Sequence, residues 1–105
     1  MKLENIEWDE AKNEKNKRDH HTSFEVTQYV FADPQRIWRF DRSEGNTSDE
    51  ERWQTIGKIG RLYFVVYTEC GESKRLISAR PAEPGERRSY NGYYTIDGKG
   101  WTKDT

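Results

Sequence analysis

The chain has a single cysteine, Cys70, among 105 residues. That excludes a disulfide scaffold and any metal site built from paired cysteines. No apolar run approaches the ~18 residues that a membrane helix needs, and residues 1–10 contain no apolar stretch of the kind a secretory signal carries. With one thiol, these absences lead to the expectation of a reducing cytoplasm. Aliphatic residues are scarce too. With 3 Leu, 6 Ile, 4 Val and 4 Phe, the large apolar side chains are 17 of 105, below the roughly 20% that marks disordered chains. Disorder of that kind also needs a large net charge, and here 18 Lys+Arg nearly cancel 19 Asp+Glu, leaving −1. Aromatic residues reach 13% and bury large areas each. The composition therefore describes one folded domain with a thin core and a very polar surface, too short for two.

The small net charge conceals a gradient. Residues 1–33 hold five cations against eight anions, whereas Lys74 to Arg88 holds Lys74, Arg75, Arg80, Arg87 and Arg88 against Glu83 and Glu86. Arginine predominates there, and its planar fork suits bidentate phosphate contacts. A solvated charged face is the plainer reading of the same run.

Local patterns give an order of elements. Leu3–Trp8 reads as a short strand. Asp9 is a good N-cap for a helix over Glu10–Asp19, which is nearly all polar and so cannot be held by an apolar stripe. Thr22-Ser23-Phe24-Glu25 reads as a capping box for a second helix with Phe24, Val26, Tyr29, Val30 and Phe31 on its apolar face, ended by Asp33-Pro34. Gln35–Phe40 reads as a strand and Arg42–Glu50 as a polar, mobile loop. Three strands follow with short turns between them: Arg52–Ile59, Arg61–Thr68 and Ser73–Arg80. Turns this short dictate antiparallel pairing. Pro84 opens a short helix to about Tyr90. The expected fold is α+β, an antiparallel sheet of about four to five strands with two N-terminal helices and a short C-terminal one. Residues 1–92 form the domain, and 93–105 are set apart as a tail that is flexible or binds a partner.

No Gly-rich phosphate loop, Walker motif or HExxH helix is present. Adjacent His20 and His21 point about 100° apart on a helix and make a poor metal site. A histidine there suits general acid–base work, or simply caps the helix end. Glu51-Arg52 enters one strand, and Arg80 leaves another ahead of Glu86-Arg87-Arg88 and Tyr90. Such a set of Arg, Lys, Glu, His and Tyr suits RNA cleavage, in which a base activates the 2′-hydroxyl, cations stabilise the phosphate, and an acid protonates the leaving oxygen. An ion-pair network uses the same residues.

Taken together, the sequence resembles the BrnT family of toxins from bacterial type II toxin–antitoxin pairs. The resemblance rests on Glu7-Trp8-Asp9-Glu10 with Lys12, Asn16 and His20, then Ser23-Phe24-Glu25 and Val30-Phe31-Ala32-Asp33-Pro34. It continues through Glu51-Arg52, Ile56-Gly57, Phe64-Val65-Val66-Tyr67-Thr68-Glu69, Ile77-Ser78-Ala79-Arg80, and Glu86-Arg87-Arg88 with Tyr90. It implies a RelE-like fold and a metal-independent endoribonuclease, without cofactor, that arrests translation. It also implies a cognate BrnA-type antitoxin with a ribbon-helix-helix DNA-binding part, operator DNA being met only through that partner, and no membrane. The family usually has Lys-His-Gly where this chain has Asp19-His20-His21, and often a basic residue where Pro81 stands.

Roles follow from that resemblance. Arg80 is expected as the main transition-state cation, with Arg52 and Arg88 in support, and its alternative is an ion pair with Glu86 or Glu51. Glu51 is the candidate base and His20 the candidate acid. Lys12, Arg75, Arg87, Arg88 and Tyr90 are candidate RNA contacts. Trp8, Phe24, Phe31, Trp53, Phe64 and Tyr67 are read as core. The alternative function is a non-catalytic RNA- or antitoxin-binding module, a degenerate toxin kept for operon regulation.

Overall fold

In chain order the elements are β1 (Ile6–Trp8), α1 (Glu10–His20), α2 (Phe24–Thr27) running into a tighter 3₁₀ turn (Gln28–Ala32), β2 (Ile37–Phe40), β3 (Arg52–Ile59), β4 (Arg61–Cys70), β5 (Ser73–Pro81), α3 (Pro84–Arg88) and β6 (Thr102–Lys103). The computed structural model describes residues 5–41, 51–93 and 100–103. The expected Arg42–Glu50 loop lies outside the described residues.

The long strands β3, β4 and β5 form the expected antiparallel meander. Gly60 (φ 72°) and Gly71 (φ 63°) make its turns, in the left-handed region that glycine enters freely. The edges depart from expectation. Among the described residues the sheet has six strands in the order β1-β5-β4-β3-β2-β6, and β1 runs parallel to β5, with Ile6 opposite Lys74 and Trp8 opposite Leu76. Short turns dictate antiparallel pairing only between consecutive strands. β1 reaches β5 from the far end of the chain, so its direction is not so constrained, and the sheet is mixed. β6 comes from the segment set apart as a tail. Thr102 and Lys103 pair with Trp38 and Ile37, and Trp101 is buried in the core, so these residues complete the domain.

Each face of the sheet carries a small core. On one, Trp8, Phe24, Val30, Val65, Tyr67, Leu76 and Ala79 pack under α2 and its 3₁₀ turn. The approach there is close: a Cβ on Gly57 would meet Val30 Cβ at 2.7 Å. The α2 segment differs from the amphipathic helix expected. Its N-cap is Ser23, whose hydroxyl accepts from the Val26 N–H. After a single α-helical turn, in which Val26 is 44% exposed, the winding tightens and rotates the following side chains, and Tyr29 is 40% exposed. On the other face Ile37, Ile56, Phe64, Ala82 and Trp101 form a second core. A bulge in β5 opposite Val66/Tyr67 breaks simple alternation. Leu76 and Ala79 therefore both enter the first core, while Ser78 and Arg80 face the second side.

Candidate functional site

α1 is the element that sequence patterning left without a means of support. Two buried asparagines one turn apart supply it. Asn13 accepts the Phe24 N–H and donates to Glu10 and Glu25. The bond from Asn13 is the leading reason that the Glu25 carboxyl sits below its ordinary pKa. Asn16 accepts the Ala79 N–H at 3.0 Å and donates to the Ala79 and Thr22 carbonyls at 2.8 Å each. Its carboxamide thus takes the place of a neighbouring strand along the β5 edge, just beyond the last residue that β1 covers. Buried backbone groups need such partners, so a polar helix is held firmly here by hydrogen bonds.

With α1 fixed in this way, its flank forms one wall of a cleft of about 370 Å³. Lys12, Lys15, Asp19 and His20 come from α1, Arg52 from β3, and Ile77 and Ser78 from the bulge of β5. Lys12, Lys15, Asp19 and His20 stand at helical spacing, so one face presents them together. Asp19 is held by Lys15 at 3.5 Å and Arg18 at 3.7 Å. The cleft opens onto the second sheet face, where strand register sets out further cations. Arg52, Gln54 and Ile56 lie beside Thr68, Val66 and Phe64, and these lie beside Arg75, Ser78 and Arg80. Arg39 adjoins Gln54, donating to it at 2.8 Å, with its guanidinium 4.1 Å from the Trp101 ring.

The residues singled out from sequence do not all come together. Lys12, His20 and Arg52 meet in the cleft. Glu51 immediately precedes Arg52 and is exposed at the mouth of β3. Arg75, on the same face, pairs with Glu7 at 3.4 Å. Arg80 forms a two-pronged ion pair with Glu86, at 2.8 Å for each prong, and lies 4.3 Å from the Phe64 ring. The Glu86 hydrogen bond holds the Arg80 pKa above its ordinary value. Glu86 rather than Glu51 is thus its partner. Arg87 and Arg88 ride on α3, Arg87 donating to the Ala82 carbonyl. Tyr90 stands apart from the cleft: its ring packs on the second core, and its hydroxyl donates to Asp33 at 2.6 Å. Burial and then that bond push the Tyr90 pKa well up. Sequence reasoning missed Lys15, Ser78 and Arg39. Lys15 was recoverable from its spacing to Lys12, but Ser78 depends on the bulge and Arg39 on β6.

A polar helix clamped to a sheet edge, with a cationic cleft opening onto an arginine-bearing face, defines a small α+β protein with an exposed, positively charged cleft. Its family can be stated. The family model described as "Ribonuclease toxin, BrnT, of type II toxin-antitoxin system" matches residues 8–86, and the chain belongs to that family. The match takes in every cleft residue and Arg80, and stops before Arg87, Arg88 and Tyr90. The 1.1 Å crystal structure of the Brucella abortus ribonuclease toxin BrnT shares the fold. The TM-score is 0.53 at 20% identity, covering 74% of this chain and 95% of that one. No curated protein matches the chain. Membership in a type II toxin–antitoxin family implies an antitoxin partner. Among the described residues no helix is long and apolar enough to cross a membrane.

Proposed function

We propose that the chain is a metal-independent endoribonuclease of RelE-like architecture, and that the cleft beside α1 is where RNA is cut. The observation that carries this is the convergence of Lys12, Lys15, Arg52 and His20 on a single cleft of about 370 Å³. Lys12, Lys15 and Arg52 supply positive charge to a bound phosphodiester. Glu51, exposed next to Arg52 in the chain, accepts the proton of the 2′-hydroxyl. O2′ then attacks phosphorus, the P–O5′ bond breaks, and His20 donates a proton to the departing O5′. The products are a 2′,3′-cyclic phosphate and a 5′-hydroxyl. The side chains present supply the base, the acid and the cations that this transfer needs.

Arg80 takes a different place from the one its sequence position suggested. Arg52 lines the cleft and Arg80 does not, so Arg52 is the principal cation, and Arg80, held by Glu86, anchors α3. Tyr90 latches the same segment to Asp33. The partner is a BrnA-type antitoxin with a ribbon-helix-helix part, through which alone operator DNA is met. Both act in the cytoplasm, and cleavage arrests translation.

The test uses a short DNA strand with one ribonucleotide linkage, cut in the presence of a chelator. Wild-type protein should release cyclic-phosphate and 5′-hydroxyl ends. His20→Ala and Arg52→Ala should each slow the reaction by about 10²-fold or more. Full activity in both variants, or cleavage only with added divalent metal, would refute the scheme. Strand binding without cleavage would identify the binding module instead.

A further inference from the structure

On the opposite face of the sheet lies a second hollow, of about 220 Å³, lined by Arg36, Trp38, Trp53, Tyr67 and Glu69. The rings around it meet edge to face: Trp38 and Trp53 at 5.9 Å, Phe40 and Trp53 at 5.3 Å, and Phe31 and Tyr67 at 4.9 Å. Tyr67 is buried, but Phe31, Trp38, Phe40 and Trp53 remain half-exposed. Cations are set among them. The Arg36 guanidinium is 5.3 Å and the Lys74 ammonium 5.9 Å from the centre of the Phe31 ring. Glu69 is a hollow-lining carboxylate with its side chain 48% exposed, and its Lys74 partner is 3.7 Å away.

We propose that this hollow is a base-stacking subsite that takes a guanine of the RNA strand cut in the cleft, and so sets where the enzyme cuts. The inference rests on the reading of RNA as substrate. Half-exposed rings interleaved with cations are the surface that single-stranded nucleic acid uses, each base stacking on a ring while the cations meet its phosphates. A hollow of this size admits one base. Guanine is the base whose Watson–Crick edge offers two adjacent N–H donors, from N1 and N2, which a single carboxylate accepts in parallel, and Glu69 is that carboxylate. The two sites are joined by covalent geometry. Arg52 and Trp53 are consecutive on β3 and so point to opposite faces.

The experiment uses an uncleavable 2′-O-methyl strand of about eight nucleotides, within the usual span of single-strand sites. It carries one guanine, or inosine in its place, which lacks the N2 amino group. The guanine strand should quench tryptophan fluorescence and bind about tenfold more tightly than the inosine strand, a difference of one base-edge contact. Glu69→Gln should erase that preference, weakening the guanine strand more than the inosine strand, which has only the N1 bond to lose. Trp38→Ala should weaken both strands about tenfold, and Trp38→Phe should restore most of the loss. Equal binding of both strands by the wild type, or indifference to Trp38→Ala, would overturn the subsite. If Trp38→Ala spared RNA binding but released the antitoxin, the hollow would be a protein interface and the proposal would fail. The cleft reading fails separately, if Arg52→Ala leaves both binding and cleavage intact.

Discussion

Replacing Arg80 by alanine separates a structural from a chemical role for the arginine that sequence alone ranked first. The substitution removes two charge-assisted hydrogen bonds to Glu86, at 2.8 Å each, and the contact of the guanidinium with Phe64. It also leaves Glu86, whose side chain is only 17% exposed, without its counter-ion. Hydrogen bonds to charged groups contribute about 1.5–3 kcal/mol, and a cation over an aromatic ring about 0.5–2 kcal/mol. Arg80 itself is 28% exposed, which screens part of this, and the net loss should be about 2–4 kcal/mol. For a domain near this size the melting temperature should fall by about 10–25 °C. Cleavage is then measured well below that temperature and normalised to the folded fraction. Arg80→Ala should retain activity within about tenfold, whereas losing a principal transition-state cation costs about 10²–10³-fold, the loss expected of Arg52→Ala. An Arg80→Ala protein that melts as the wild type does yet cuts no RNA would refute the reasoning and restore Arg80 to the chemistry.

Three further outcomes are expected. His21 ends α1 at φ 52°, ψ 35°, a conformation that costs a side-chain-bearing residue about 1 kcal/mol, so His21→Gly should raise thermal stability by about that amount. Asn16→Ala removes the partner of both Ala79 backbone groups and should cost about 2–4 kcal/mol; it should also slow cleavage by the folded protein, because α1 carries His20 and Lys12. Burial raises the Asp33 pKa, but bonds from the Tyr90 hydroxyl and the Gln35 and Lys58 amides outweigh it and hold the folded carboxyl below its ordinary value. Its contribution is complete above the unfolded value of about 3.9 and is lost as pH falls through the lower folded one. Acid unfolding of Asp33→Asn should therefore show a shallower pH dependence below about pH 4, and an unchanged curve would show that the Tyr90–Asp33 latch is not formed.

The central meander was legible because alternation and turn glycines act locally. Arg52–Ile59 coincides with β3, and β4 and β5 each extend the expected strand by a residue or two. What was hidden depended on distant partners. The support of α1 is invisible in its own pattern, because Asn13 and Asn16 resemble solvated residues until the β5 edge and the Phe24 amide are brought to them. The parallel pairing of β1 and the return of Trp101 to the second core are likewise contacts between the two ends of the chain. At the candidate site, Lys12, His20 and Arg52 were identifiable by residue type. For Arg80 the sequence left a cation of the site and an ion pair both open, and the turn into α3 decides the partner by carrying Glu86 back to the guanidinium.

The parallel pairing of β1 with β5 also governs the order of assembly. Ile6 meets Lys74, 68 positions later, whereas β3, β4 and β5 are joined by tight turns. Local pairings close loops cheaply and distant ones do not. The meander therefore forms first, and β1 docks with α1 behind it. A ribosome making this chain releases the N-terminal residues early, but Lys12 and His20 have no wall to stand against until Ala79 has been added. The cleft beside α1 therefore takes shape only after β5 has been made, although most of its side chains come from the first residues of the chain.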